Sequence, residues 1–120
     1  MAAITELADR LGKAISESPQ AARLREARRA LEGDEQAKAL LEEFHRQEEK
    51  IARLQEQNKP IEVDDKHKLR ELRSRLVANE AFKRFSAAQV DYLDVVRQVN
   101  EAIQRHLGEV EGAGEDEGDQ

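Results

Sequence analysis

The stretch that decides the fold covers residues 80–107 and has the sequence EAFKRFSAAQVDYLDVVRQVNEAIQRHL. Seven of its positions form a seam in which steps of three and four residues alternate: Phe82, Phe85, Gln89, Tyr92, Val96, Val99 and Ile103. Because an α-helix turns once in about 3.6 residues, these side chains fall on one face over three heptads. The pattern predicts a long amphipathic helix, the fifth of the chain, which we expect to end at Gly108.

A second seam lies upstream, in residues 35–57. It has the same alternating steps, through Ala37, Leu40, Phe44, Gln47, Ile51 and Leu54. The tripeptide Asn58-Lys59-Pro60 follows it, and proline cannot continue a helix because it lacks the N–H group. The pattern therefore predicts a third helix, the second long one. Gln47 and Gln89 are the polar members of the two seams, and we expect them to lie near each other or near their symmetry mates.

Three shorter helical patterns complete the chain. The first has its apolar residues at Ile4, Leu7, Ala8, Leu11 and Ile15. Ser18-Pro19 predicts the start of a second helix, since serine caps well and proline suits the first helical position. Asp34 can cap the third helix and Asp64 the fourth, while Asn79-Glu80 is either a brief interruption or the cap of the fifth. We expect an all-α fold of about five amphipathic helices in a bundle.

The net charge of −6 is carried by one end of the chain. Six of the 26 acidic residues lie in residues 108–120, GEVEGAGEDEGDQ, so the other 20 acids balance the 20 lysines and arginines. This glycine-rich stretch has almost no apolar side chains whose burial could offset the conformational entropy lost on ordering. We therefore predict a single helical domain over residues 1–107 and a disordered acidic tail over 108–120.

Several classes of chemistry are excluded or disfavoured. The absence of cysteine excludes a disulfide framework, a thiol nucleophile and a cysteine-ligated metal. We find no nucleophile–base set and no phosphate-binding glycine loop. Glu42-x-x-His45 has the spacing of a di-iron ligand pair, but no matching second pair occurs in mid-helix. We predict no catalytic residue, no metal and no cofactor, and therefore no enzymatic activity.

The expected location is the cytoplasm. No run of 18 apolar residues is present, so we expect no transmembrane helix and no membrane contact. The first fourteen residues carry four charged side chains and no apolar core, which argues against a secretory signal.

Self-association is favoured by the amount of apolar surface. Five amphipathic helices carry more apolar surface than the interior of one small bundle can bury. The surplus would form a large exposed patch, which promotes association. We predict a homo-oligomer, a dimer or a larger assembly, with the seven seam residues of the fifth helix as its contact. Periodicity alone leaves open the alternative that these residues form the core within one chain.

Two helices also carry basic faces. The residues are Arg23, Arg25, Arg28 and Arg29 on the second helix, and Lys66, Lys68, Arg70, Arg73 and Arg75 on the fourth. RNA binding through these faces is an alternative function. Against it, residues 1–107 are charge-balanced, and no aromatic side chains lie between these cations to stack on bases. A third hypothesis is a small helical holdase, which the amphipathic helices and the acidic tail suggest.

The order of short motifs resembles the YlbF/YmcA family of small bacterial helical proteins, over nearly all of residues 3–107. The matching motifs are Leu11-Gly12-x-Ala14-Ile15-x-Glu17-Ser18, Ala27-x-x-x-Leu31-x-x-Asp34, Ala37-x-x-Leu40-Leu41-x-x-Phe44, Gln55-x-Gln57-Asn58-Lys59, Leu69-x-x-Leu72-x-x-x-Leu76-x-x-Asn79-Glu80, Ala88-Gln89-x-x-Tyr92 and Val99-Asn100-x-x-Ile103.

The resemblance implies an all-helical, associating and non-enzymatic protein. It further implies an accessory factor of the mRNA-processing endoribonuclease RNase Y, with an influence on competence, sporulation and biofilm formation. Some relatives form a hetero-complex that binds iron–sulfur clusters through cysteines, and this cysteine-free chain cannot share that property. The expected function is thus a regulatory adaptor that acts through protein–protein contacts, with an endoribonuclease as a candidate partner.

Overall fold

The computed structural model describes the backbone of residues 2–118 and the side chains of residues 2–111. Its five α-helices are α1 Ala2–Ser16, α2 Pro19–Glu32, α3 Glu35–Glu56, α4 Val63–Ala78 and α5 Glu80–Gly118. No strand occurs within residues 2–118. The predicted all-α class, with five helices of which the third and fifth are the long ones, is confirmed.

Side-chain caps define three of the helix starts. In each, an oxygen accepts the backbone N–H three residues further on: Ser18 from Ala21 (3.1 Å), Asp34 from Ala37 (2.9 Å) and Asn79 from Phe82 (2.9 Å). The Asn79-Glu80 step is therefore the cap of α5. The fourth helix differs from prediction, because its cap is Glu62, without a side-chain hydrogen bond. Asp64 lies instead in the first turn, where its charge complements the helix dipole.

The end of α3 is set by Asn58. This residue adopts a φ of 56°, the left-handed conformation that asparagine tolerates better than most residues. The N–H of Lys59 donates to the carbonyl of Leu54 (2.8 Å), and that of Asn58 to the carbonyl of Gln55 (3.1 Å). These two bonds form a Schellman motif, and Pro60 follows it. The helix ends within one residue of the predicted position.

The chain divides into two compact units, residues 23–88 and residues 1–22 with 89–120. In the first unit, α3 and α4 pack against each other as a helical hairpin. Its core is the buried trio Leu40, Leu72 and Leu76, against which Leu41, Phe44 and Phe82 pack. The beginning of α5 thereby joins the hairpin. This unit contains the grooves and the polar cluster described below.

The second unit contains α1 and most of α5. Among its described side chains, in residues 2–22 and 89–111, Ala21 alone is buried. The apolar faces predicted for α1 and for the later part of α5 are therefore present but are only partly covered within a single chain.

The fifth helix extends further than predicted. It passes through Gly108 and continues to Gly118. Gly108 does not adopt the positive φ that would stop a helix, and a Cβ there would meet no atom within 4 Å. A mid-helix glycine costs about 1 kcal/mol relative to alanine, which weakens a helix without ending it. A region 108–120 distinct from the helical domain stays a prediction, and residues 119–120 lie outside the described part.

Candidate interaction surfaces

The first part of the α5 seam belongs to the core of its own unit. Phe82 is half-buried and packs against Leu40, Leu72 and Leu76. Phe85 is also half-buried, three residues further along the same face. At Phe82, the alternative of an intrachain core therefore holds.

The later part of the seam is only partly covered. Tyr92, Val96 and Val99 are half-buried, whereas Gln89 is exposed. Ile103 is 42% exposed, and because α5 does not stop at Gly108, the stripe continues through Leu107 (42%) and Val110 (82%). We call Ile103, Leu107 and Val110 the distal stripe. Leu107 precedes Gly108 and belongs to the predicted helix, whereas Val110 was missed because the prediction ended the helix at Gly108.

The first helix presents a second uncovered face. Ile4 is 67% exposed and Leu7 61%, and no residue of α1 is buried. With Leu11 and Ile15 they recur every three or four residues, so they share one side of the helix. Exposing such an apolar face to water costs free energy, and a partner that covers the face removes this cost.

A buried polar cluster connects α3 to α4. The side-chain Nε2 of Gln47 donates to the backbone carbonyl of Asp65 (3.0 Å) and to its Oδ1 (3.3 Å). The Nζ of Lys50 lies 2.9 Å from the same Oδ1. Gln47 thus finds its partner on α4, not in Gln89 as expected. The seam position of Gln47 signalled a need for a polar partner, but nothing in its spacing pointed to Asp65.

The surroundings of Asp65 stabilise its charged form. The hydrogen bond from Lys50 is the main cause that holds the pKa of this carboxyl below its usual value, and Gln47 adds to it. Desolvation acts in the opposite direction and does not outweigh them. The cluster is thus an ion pair completed by an amide, and it connects α3 to α4.

The predicted basic residues of α2 and α4 are all exposed, and two grooves gather some of those on α4. The first, here the Ile61 groove, is lined by Ile51, Ile61, Lys66, Leu69, Arg70 and Arg73. The second, here the Arg46 groove, is lined by Glu43, Arg46, Gln47, Lys50, Arg53 and Lys68. Sequence reasoning missed the α3 contribution of Arg46 and Arg53, although their spacing of seven residues places them on one face.

Two of the α4 arginines already have contacts. Arg75 pairs with Glu71 at 2.6 Å, one turn away. The guanidinium of Arg73 lies 5.9 Å from the ring centroid of Phe44, within the range of a cation–π contact. The basic faces are therefore only in part available to an anion.

The histidine on α3 has a local partner. The Nδ1 of His45 lies 3.4 Å from a carboxylate oxygen of Glu48, and both side chains are exposed. Within residues 2–111, no three His, Asp or Glu side chains converge as metal ligands would. In the same part of the chain, no helix has the length and apolarity needed to span a bilayer.

The fold and its surfaces define a small all-helical protein with a helical hairpin, uncovered apolar helix faces and basic grooves. The model of one family, described as control of competence regulator ComK, YlbF/YmcA, matches residues 4–108. The chain therefore belongs to the YlbF/YmcA family, and the predicted resemblance is confirmed.

Two solved structures are similar to this chain. One is Bacillus subtilis RicA in complex with RicF, with a TM-score of 0.80 and 22% identity over 90% of this chain and 96% of that one. The other is a protein of unknown function (DUF964) from Bacillus stearothermophilus, with a TM-score of 0.69 and 20% identity over 89% and 94%. At these identities the likeness shows the fold alone. No curated protein gives a significant sequence match.

Proposed function

We propose that this chain is a non-enzymatic regulatory adaptor of the cytoplasm, which forms a homo-oligomer and acts through protein–protein contacts. The observation that carries the proposal is the uncovered distal stripe of α5, which continues a seam whose first part is core. The exposed face of α1 supports it. Further support comes from the solved structure of RicA, which contains a second protein, RicF.

The energetics favour covering these faces. Fully burying an aliphatic side chain is worth about 1.5–3 kcal/mol relative to full exposure. Ile103 and Leu107 keep 42% of their exposure and Val110 82%, so covering the three gains a part of that value at each, which favours association. The remaining seam residues, Tyr92, Val96 and Val99, are half-buried and can complete the contact. A helical partner that places its own apolar stripe on this face would bury it with the ridge-and-groove packing of paired helices.

The cellular role that we propose is that of an accessory factor in RNase Y-dependent mRNA processing, with consequences for developmental regulation. Family membership supports this role. Cluster binding is not part of the proposal, because the chain has no cysteine to ligate iron. The endoribonuclease is the protein partner to be sought first.

The oligomer is tested with a double substitution in the distal stripe, Ile103→Glu with Leu107→Glu. At a salt concentration that screens ion pairs, light scattering coupled to size exclusion should show an oligomer for the unmodified chain and a monomer for this variant, since buried carboxylates oppose association. The matched control is Val63→Glu with Val77→Glu, two aliphatic residues of α4 that are 66% and 55% exposed. The control should remain oligomeric, and an unmodified chain that is monomeric at high concentration would refute the proposal.

The cellular role is tested by affinity capture of the tagged chain from its native cells. We expect an endoribonuclease to be recovered with the unmodified chain and with the α4 control variant. If no endoribonuclease is recovered under conditions that preserve the oligomer, the RNA-processing role is contradicted. The proposed self-association is tested separately, by light scattering.

Direct RNA binding is the second candidate, and the Arg46 groove favours it. Four of its six lining residues are cations, from both α3 and α4. A mobility shift with single-stranded RNA should weaken steeply with added salt if phosphates are bound. Arg46→Ala with Arg53→Ala should then weaken the shift, whereas no shift at low salt would remove this candidate.

A further inference from the structure

The Ile61 groove has a composition that neither the seam nor RNA binding explains. Three aliphatic side chains, Ile51, Ile61 and Leu69, are half-buried and line it together with three cations. The cations are Lys66, Arg70 and Arg73, which recur along one face of α4 at spacings of four and three residues. No carboxylate and no aromatic ring is among the six lining residues.

This combination selects a class of ligand. The cations suit carboxylates, with which arginine forms charge-assisted hydrogen bonds. Arg73 is partly oriented already by its position over the ring of Phe44. An apolar lining without aromatic rings offers nucleobases no stacking platform, but it accommodates a branched aliphatic side chain. The groove therefore fits an acidic peptide segment that carries an aliphatic residue.

The chain itself contains a segment of this chemistry. Residues 108–120 have six acidic side chains, no basic one, and Val110 as their branched aliphatic residue. Val110 is 82% exposed, and its neighbours Glu109 and Glu111 are exposed as well. Since the rest of the chain is formally neutral, this segment holds the whole net negative charge. Its charge and its aliphatic residue complement the groove.

We propose that the Ile61 groove binds the acidic segment 108–120 of a second copy of this chain. The carboxylates pair with Lys66, Arg70 and Arg73, and Val110 packs on the aliphatic lining. This contact is head-to-tail, because the groove of one copy takes the segment of the next. This contact shares Val110 with the distal stripe but uses neither Ile103 nor Leu107. Ile103→Glu with Leu107→Glu should therefore leave it intact at low salt, whereas added salt should weaken it.

The test is the binding of a fluorescent synthetic peptide of residues 108–120 to the full chain, followed by anisotropy at low salt. We expect saturable binding that Lys66→Glu with Arg70→Glu weakens at least about tenfold, because two attractive charges become repulsive. The matched control is Lys38→Glu with Arg84→Glu, two exposed cations outside the groove that give the same change in net charge. The control should change the affinity by less than about twofold, because solvent and salt screen charges that lie far from the groove.

Two altered peptides test the chemistry. A peptide with amides in place of all acids should not bind, and one with Val110→Gly should bind several-fold more weakly. Equal loss of binding in both charge-reversed proteins would show a non-specific field effect and overturn the proposal. Binding of single-stranded RNA but not of the peptide, lost in Lys66→Glu with Arg70→Glu, would overturn it in favour of a nucleic acid.

Placement of the segment on a second copy is tested by cross-linking, which the absence of native cysteine makes unambiguous. Chains carrying Glu62→Cys, next to the groove, are mixed with chains carrying Glu111→Cys. We expect the mixture to form a disulfide faster than a mixture of Glu42→Cys and Glu111→Cys, in which the first thiol replaces another exposed acid. Equal rates, or a groove occupied only within one chain, would refute the second copy as the occupant.

Discussion

Gln47 and Asp65 form a buried contact between α3 and α4. Gln47 is 4% exposed and Asp65 7%, and Lys50 completes the cluster from the solvent side. Within residues 2–111, no buried side-chain nitrogen or oxygen lacks a hydrogen-bond partner. The apolar seam tolerates Gln47 because its side-chain amide donates to the backbone carbonyl and to the carboxylate of Asp65. These two groups lose hydrogen bonds to water when they are buried, and the amide replaces them.

Replacing this amide should be costly. Gln47→Leu leaves the Asp65 carbonyl and carboxylate without their buried donor, so we expect the free energy of unfolding to fall by about 1–3 kcal/mol. Urea denaturation measures the change. Gln55→Leu, an exposed position on the same helix, is the control and should change stability by less than about 0.5 kcal/mol. An equal effect of both substitutions would show that the buried hydrogen bond contributes nothing particular.

The charge of Asp65 should give stability that depends on pH. Its pKa is lower in the folded chain than the ordinary 3.8, so its contribution is present above pH 3.8 and is lost as the pH falls through the folded pKa. Asp65→Asn lacks this contribution. We expect its melting temperature to lie below that of the unmodified chain at pH 6, and the gap to narrow below pH 3.8. A gap that is constant over this range would contradict the assignment.

At the scale of the helices, local chemistry explains where most of them begin and end. Ser18, Asp34 and Asn79 each satisfy a free N–H of the first turn, and Asn58 supplies the left-handed residue that ends α3. These signals act within a few residues, so they can be recognised without knowledge of the tertiary structure. The fifth helix is the exception, since the glycine expected to end it is helical.

Gly108→Ala distinguishes the two descriptions of α5. If the helix continues to Gly118, alanine should stabilise it by about 0.5–1 kcal/mol and increase the helical signal in circular dichroism, because it reduces the entropy of the unfolded chain. If Gly108 instead ended the helix in the left-handed conformation, the same change would be destabilising. Gly12→Ala is the reference, as a Cβ there also meets no atom within 4 Å.

For the molecule as a whole, burial is distributed unevenly. The buried trio Leu40, Leu72 and Leu76 lies in the unit of residues 23–88, while the described part of the other unit has only Ala21. A unit with so little of its own core gains stability from a partner that covers it. The proposed oligomer would supply that cover for the distal stripe of α5.

Stability should therefore depend on protein concentration. If association covers the distal stripe, the melting temperature of the unmodified chain should rise with concentration, because binding favours the folded state by mass action. In salt that screens ion pairs, Ile103→Glu with Leu107→Glu should abolish this dependence, and Val63→Glu with Val77→Glu should retain it. A melting temperature that does not change with protein concentration would count against association-linked stability.

The sequence by itself determined the helices of this protein, most of their ends and its family. Seam periodicity and caps such as Ser18 and Asp34 depend on neighbours within a turn or two, so they can be read along the chain. The family could be recognised because its motifs keep this local order.

Only the tertiary structure decided what the seams contact. Phe82 and Ile103 have the same place in one periodic pattern, yet the first packs in a core and the second is 42% exposed. Gln47 required a partner, and folding supplied Asp65, 18 residues away. Periodicity defines a face but not what covers it, because burial depends on segments that are distant in the chain.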